Sequence, residues 1–270
     1  MKFDLHTHHE RCGHATGTIA DYVEAAIGAG LTVVGISDHS PYFAHEDDQP
    51  FPRIAMARSD FQRYVSEVLR LKEEYKGRIE VLLGIESDFF VDKLDAYREA
   101  YAAYPFDYVI GSVHQTRGVS IFNRNRWKNL GPKEQLEEKK HYYELIRLSA
   151  NSGMFQILGH IDAMKGYYPG FADIAGAEAE IDEALKAVAA NDLAIEINTS
   201  GKTKDVGGWY PSDAILERAL HFGVDVTFGS DAHVPERVGD ELELVRQRLI
   251  EIGFDRWVFF RNKEKVAVPI

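Results

Sequence analysis

The chain has little cysteine: a single residue, Cys12, so no internal disulfide can form and no thiolate cluster can hold a metal. It has no apolar run long enough to cross a bilayer and no charged-then-apolar leader before its first apolar segment, so a cytoplasmic protein without a membrane partner is expected. Positive charge is also short. With 31 basic against 43 acidic residues the net charge is -12, and the basic stripe expected of a nucleic-acid partner is absent. A small anionic substrate stays open, because bound cations can invert a local potential. No internal repeat, low-complexity tract or linker divides the sequence, so residues 1–270 are expected to form a single domain, and 45% hydrophobic content is enough for a large core. A homo-oligomer is compatible with these features.

Seven apolar segments have the length and composition of strands: Phe3–His6, Val33–Ser37, Glu80–Glu86, Tyr108–Ser112, Gln156–Gly159, Leu193–Asn198 and Val224–Gly229. Several are apolar almost throughout, as in parallel strands covered on both faces. Helical segments separate them. Thr18 with Asp21 predicts a capping box, and Ser59 with Gln62 predicts a second one. Pro132 and Ser212 open later helices that Gly153 and Gly223 close. This alternation predicts an α/β fold with a parallel sheet. A barrel is favoured over an open sheet, because both the first and the last strand end in ligand-type residues. The long segments Pro41–Arg58 and Gln115–Asn129 should form functional loops near strand ends.

The strand ends carry the chemistry. His6 and His8 follow the first strand on one side of the chain, and Asp231 and His233 repeat that spacing after the last. His39 follows the second, His114 the fourth and His160 the fifth, while His14 lies beyond the turn at Glu10–Gly13. Glu86 ends a strand that otherwise has no reason for charge. An unpaired buried carboxylate is costly, and its two oxygens can bridge two cations, so Glu86 is assigned the bridge. Asp38 and Asp4 are expected behind the ligands, where a carboxylate can fix the second nitrogen of a metal-bound imidazole, and Asp88 is placed with them. His9, His45, His141 and His221 are read as structural or surface residues. The nine residues His6, His8, His14, His39, Glu86, His114, His160, Asp231 and His233 exceed what one ion takes. Two or three transition-metal ions (Zn, Fe or Mn) are therefore expected.

These motifs, Asp4-Leu5-His6-Thr7-His8, Ser37-Asp38-His39, Gly84-Ile85-Glu86, Gly111-Ser112-Val113-His114, Gly159-His160 and Gly229-Ser230-Asp231-Ala232-His233, resemble the polymerase and histidinol phosphatase (PHP) family over essentially the whole chain. The length, the Cys12-Gly13-His14 turn, Tyr104–Tyr108 and Asn198-Thr199-Ser200-Gly201 are similar to its stand-alone histidinol-phosphate phosphatases. The resemblance implies a distorted (β/α)7 TIM-like barrel with a trinuclear site at the C-terminal ends of the strands. It implies one metal on His6, His8, Glu86 and Asp231, a second on Glu86, His114 and His160, and a third on His14, His39 and His233. The implied reaction is hydrolysis of L-histidinol phosphate, in histidine biosynthesis, by metal-activated hydroxide. Lys165, Arg117 and Lys202 are the expected phosphate anchors. The alternatives are a phosphoesterase of the same fold acting on another small phosphate or nucleotide, an amidohydrolase, and a non-catalytic metal-binding barrel. An amidohydrolase tends to use a strand-borne lysine, and no strand here ends in one.

Overall fold

The computed structural model describes residues 1–270. The first half alternates β1 (Phe3–Asp4), α1 (Ile19–Gly28), β2 (Val33–Ile36), α2 (Phe61–Glu74), β3 (Glu80–Leu83), β4 (Glu86–Asp88), α3 (Leu94–Ala102) and β5 (Ile110–Ser112). A small hairpin, β6 (Gln115–Thr116) and β7 (Val119–Ser120), precedes α4 (Pro132–Ala150). The second half runs β8 (Ile157–Leu158), α5 (Glu178–Ala190), β9 (Ala194–Asn198), α6 (Asp213–His221), β10 (Asp225–Gly229), α7 (Leu242–Ile252), β11 (Arg256–Arg261) and β12 (Glu264–Pro269).

The large strands pair in parallel as two ladders, β1-β2-β3 and β10-β9-β8-β5-β4. Beyond the end of β1 the ladders join: the Leu5 N–H donates to the Phe228 carbonyl at 3.1 Å and the His8 N–H to that of Ala232 at 2.9 Å. On the other side the join is covalent. The single strand expected over Glu80–Glu86 breaks at Gly84-Ile85 into β3, which pairs with β2, and β4, which pairs with β5. Glu86 thus opens a strand instead of closing one, and its N–H donates to the carbonyl of Ser37 at 3.0 Å. The result is the α/β distorted barrel with helices outside.

The barrel's centre explains two glycines. Tyr108 lies inside, its hydroxyl donating to the Leu5 carbonyl at 2.6 Å. A Cβ on Gly35 would stand 1.8 Å from that hydroxyl oxygen, and one on Gly84 would stand 2.4 Å from the ring. Outside, α2 buries Phe61, Tyr64, Val65, Val68 and Leu71, a helical stripe facing the sheet. The Thr18–Asp21 box forms as expected. The Ser59–Gln62 box does not: Ser59 instead donates through its N–H to Asp48 at 2.8 Å, and Asp60 is the residue before the helix. The antiparallel β11–β12 hairpin, with no counterpart among the expected strands, covers the end of the barrel opposite the ligand motifs. Trp257 packs on Phe3 with ring centroids 4.9 Å apart, and Arg261 pairs with Glu80 at the start of β3.

Candidate metal centre

The C-terminal strand ends converge on one cavity of about 540 Å³, into which His14, His39, Glu86, His114, His160, Asp231 and His233 project. His6 and His8 lie just beneath, fully buried. All nine residues expected as ligands therefore meet at one place. Glu86 is at its centre: Oε2 lies 2.8 Å from His39 Nδ1, 3.5 Å from His6 Nε2 and 3.7 Å from His8 Nε2. Its Oε1 lies 3.0 Å from His160 Nε2 and 3.4 Å from His114 Nε2. His8 Nε2 is 2.9 Å from Asp231 Oδ1, and His14 Nε2 is 2.9 Å from His233 Nε2.

Local geometry places these groups at some cost. His160 and Asp231 both adopt positive φ, 26° and 52°, a conformation that costs roughly 1–3 kcal/mol outside glycine. His14 follows Gly13, whose φ of 81° and close approach to Pro52 exclude a side chain, since a Cβ would sit 2.0 Å from the Pro52 carbonyl oxygen. That contact seats the 41–58 loop beside His14 and brings Arg53 to the cavity wall.

In five of the imidazoles one nitrogen is held by an outer group and the other faces the common space. His6 Nδ1 is 2.5 Å from Glu196 Oε1, His8 Nδ1 is 3.1 Å from Asp38 Oδ1, and His114 Nδ1 is 2.8 Å from Asp88 Oδ1. His233 Nδ1 faces the Asp231 carbonyl at 2.9 Å and His14 Nδ1 that of Cys12 at 3.4 Å. This is the arrangement in which outer carboxylates and carbonyls orient metal-binding rings. His6 Nε2, His8 Nε2 and Glu86 Oε2 are buried and make no well-aligned hydrogen bond, although His8 Nε2 lies close to Asp231 and Glu86 Oε2 close to His39. Such orphaned polar atoms are costly unless something else satisfies them, and the donor set of imidazole and carboxylate suits a transition-metal ion.

The charges agree. Burial alone would raise the Glu86 carboxyl, but the His39, His6 and His114 imidazoles hold it well below the usual carboxylate range. Asp38 is likewise kept low against its burial by His9 and His8. Burial, then the neighbouring His39 and His8, lowers His14 to about 4, and burial with His8 lowers His233 to about 3. Both rings are thus neutral near pH 7, as a metal ligand must be.

The expected anchors for phosphate lie elsewhere. Lys165 is buried, with its Nζ 2.7 Å from Asp162 Oδ2. Arg117 pairs with Glu138 at 2.6 Å, and Lys202 with Glu241 at 2.7 Å. None of the three lines the cavity, because each is spent on a nearby carboxylate. The cations that do line it are Arg53, Lys204 and Arg237, of which Arg237 is paired with Asp240 at 2.9 Å. Asp4 supports the backbone instead of a ring: it accepts from Ser230 N–H at 2.9 Å and Gly239 N–H at 2.8 Å, tying the first strand to the last. His9 is buried, its Nε2 lying 3.3 Å from Asp38 Oδ2. Glu196 and Asn198, both buried beneath the ligands, are absent from the expected site residues.

A family model described as PHP domain matches residues 4–200. A probable histidinol-phosphatase from Deinococcus radiodurans is 32% identical over 97% of this chain and 97% of its own length. The Bacillus subtilis histidinol-phosphatase is 29% identical over 92% of this chain and 99% of its own. Among solved structures, the histidinol phosphate phosphatase of Lactococcus lactis, complexed with Zn, L-histidinol and phosphate, shares the fold with a TM-score of 0.82 at 20% identity, covering 98% of each chain.

Proposed function

Since the chain belongs to the PHP domain family, we propose that it is a metal-dependent phosphomonoesterase that hydrolyses L-histidinol phosphate to L-histidinol and phosphate. The observation that carries this reading is Glu86, a buried carboxylate with both oxygens turned to nitrogens of five imidazoles. The names of its relatives support the substrate. A cytoplasmic enzyme of one domain, 1–270, fits the single, buried cysteine. No helix is long and apolar enough to cross a membrane.

In this reading His6, His8, Glu86 and Asp231 hold one ion, Glu86, His114 and His160 a second, and His14, His39 and His233 a third. The bound metals supply an acidified water and offset phosphoryl charge. The protein does the rest. Glu196, Asp38 and Asp88 keep three imidazoles in the orientation that leaves their second nitrogen free. Arg53 and Lys204, cavity-wall cations without a carboxylate partner, receive phosphoryl oxygens. Phe122 and Tyr167, whose rings meet edge to face at 6.2 Å, form an aromatic wall for the leaving group.

The reading is tested by stripping the purified protein with a chelator and restoring Zn, Mn or Fe singly. Phosphate release should vanish and return with metal. In Glu86→Gln, metal content and turnover should fall together, the latter by about a thousandfold, the scale of losing a principal charge-stabilising group. Near-normal turnover in the stripped protein, or in Glu86→Gln at full metal content, would refute it.

A further inference from the structure

One strand of the barrel brings no expected ligand. β9 lies between β8 and β10, which end in His160 and in Asp231 with His233. Its own inward residues, Glu196 and Asn198, are two apart and so share a face. Both are buried, Glu196 at 1% exposure and Asn198 at 0%.

Apart from Asn198 Oδ1, which accepts from the Ser200 N–H at 2.9 Å, their side-chain hydrogen bonds run to candidate ligands or to each other. Glu196 Oε1 lies 2.5 Å from His6 Nδ1. Its Oε2 accepts from the backbone N–H of His160 at 3.0 Å and from Asn198 Nδ2 at 2.9 Å. The same Asn198 amide reaches Asp231 Oδ2 at 3.3 Å. Both oxygens of a buried carboxylate are thereby satisfied, the condition under which such a charge is tolerated. Its place is kept open by a missing side chain: a Cβ on Gly229 would stand 2.0 Å from Glu196 Oε1.

We infer that Glu196 and Asn198 form a positioning pair that fixes His6, His160 and Asp231 at once and so couples two of the metal positions. The inference rests on the metal reading above. Glu196 accepts the Nδ1 proton of His6, which leaves the Nε2 lone pair aimed at the shared space. Its bond to the His160 N–H holds a backbone that would otherwise relax from φ 26°. Asn198 donates to two carboxylates and keeps Asp231 Oδ2 beside Glu196 Oε2 without a proton between them. A strand without ligands thus sets the ligands of its two neighbours and of β1.

The experiment uses the metal-loaded wild type with Glu196→Ala, Glu196→Gln and Asn198→Ala. It measures metal stoichiometry, affinity by competition with a chromophoric chelator, and the melting temperature of each metal-free form. Glu196→Ala should bind its most weakly held ion about 10–100-fold less tightly, the usual cost of losing an outer partner of a ligand. Glu196→Gln should weaken binding less, because the amide oxygen can still accept from His6 while its N–H opposes that of His160. Asn198→Ala should show a smaller loss in the same direction, and it carries the test if Glu196→Ala does not fold. Wild-type affinity in these variants, with only the metal-free melting temperature lowered, would reduce the pair to a structural role and overturn the inference. A wild type that binds no transition metal would overturn the functional reading itself.

Discussion

At the scale of single residues, what a charged side chain does depends on what it is already paired with. Lys165 and Lys204 illustrate this. Lys165 is committed to buried Asp162, whereas Lys204 lines the cavity with its Nζ over the Tyr167 ring, 5.8 Å from the ring centre. Arg53→Gln and Lys204→Gln are accordingly expected to raise KM for a phosphomonoester about tenfold or more each, the scale of one hydrogen bond to a charged group, with metal content unchanged. Lys165→Ala should instead lower stability by about 3–5 kcal/mol by stranding the Asp162 charge, with KM little altered. Steady-state kinetics beside urea unfolding separates the two outcomes. The sequence made the candidate ligands legible because all but His14 are histidines or carboxylates placed where an apolar run stops. Glu196 carried the same kind of signal, a charge inside the run Ala194–Asn198, but its place within the strand instead of at its end left it unread. The cavity-lining cations carried little signal: which cation is free is decided by Asp162, only two residues beyond His160, and by Glu138 and Glu241, which are distant from any motif.

At the scale of elements, the two halves of the barrel have different tasks. The candidate ligands gather at one end, and β11–β12 seals the other with Trp257 on Phe3 and Phe228. Trp257→Ala should cost about 3–5 kcal/mol of stability, the usual range for emptying a buried tryptophan site, while leaving metal stoichiometry and the KM of the folded enzyme as in wild type. A matched loss of metal would mean that the hairpin also shapes the site. The order of strands and helices could be read from periodicity and from the Thr18 and Pro132 start signals. The hairpin could not be, since its two apolar runs, Trp257–Phe260 and Val266–Val268, are short, flank a charged turn and follow the last ligand-type motif. Nor could the break in the third strand. Gly84-Ile85 looks like continuous strand until Tyr108, distant in sequence, fills the space where a side chain at position 84 would sit. The break matters because it lets Glu86 pair with β5 and reach His114 and His160 while still bridging to His39 beyond the end of β2.

At the scale of the whole molecule, 71 buried residues form one apolar cluster that does not depend on the metal-facing groups. Removing metal should therefore leave a folded barrel. Because ions bind the folded chain and not the unfolded one, saturation at about a thousand times the dissociation constant adds about 4 kcal/mol, or roughly 5–15 °C in melting temperature for a chain of this size. Calorimetry with and without chelator reads this directly, and equal melting temperatures would argue against any tightly held ion. The gain should fade on acidification, since protons compete with metal for the same imidazole nitrogens. The acidic surface, at a net charge of -12, leaves the attraction of a phosphate dianion to the cavity alone.

The central claim joins a metal cluster to one small phosphate ester. Its most direct test is the kcat/KM of the metal-replete protein for L-histidinol phosphate against a panel of phosphomonoesters and phosphodiesters. The account predicts release of phosphate from L-histidinol phosphate at least about a hundredfold more efficiently than from the other esters, a discrimination of about 2.7 kcal/mol that a shaped leaving-group wall can supply. Equal, slow rates across the panel, or preference for diesters, would contradict it.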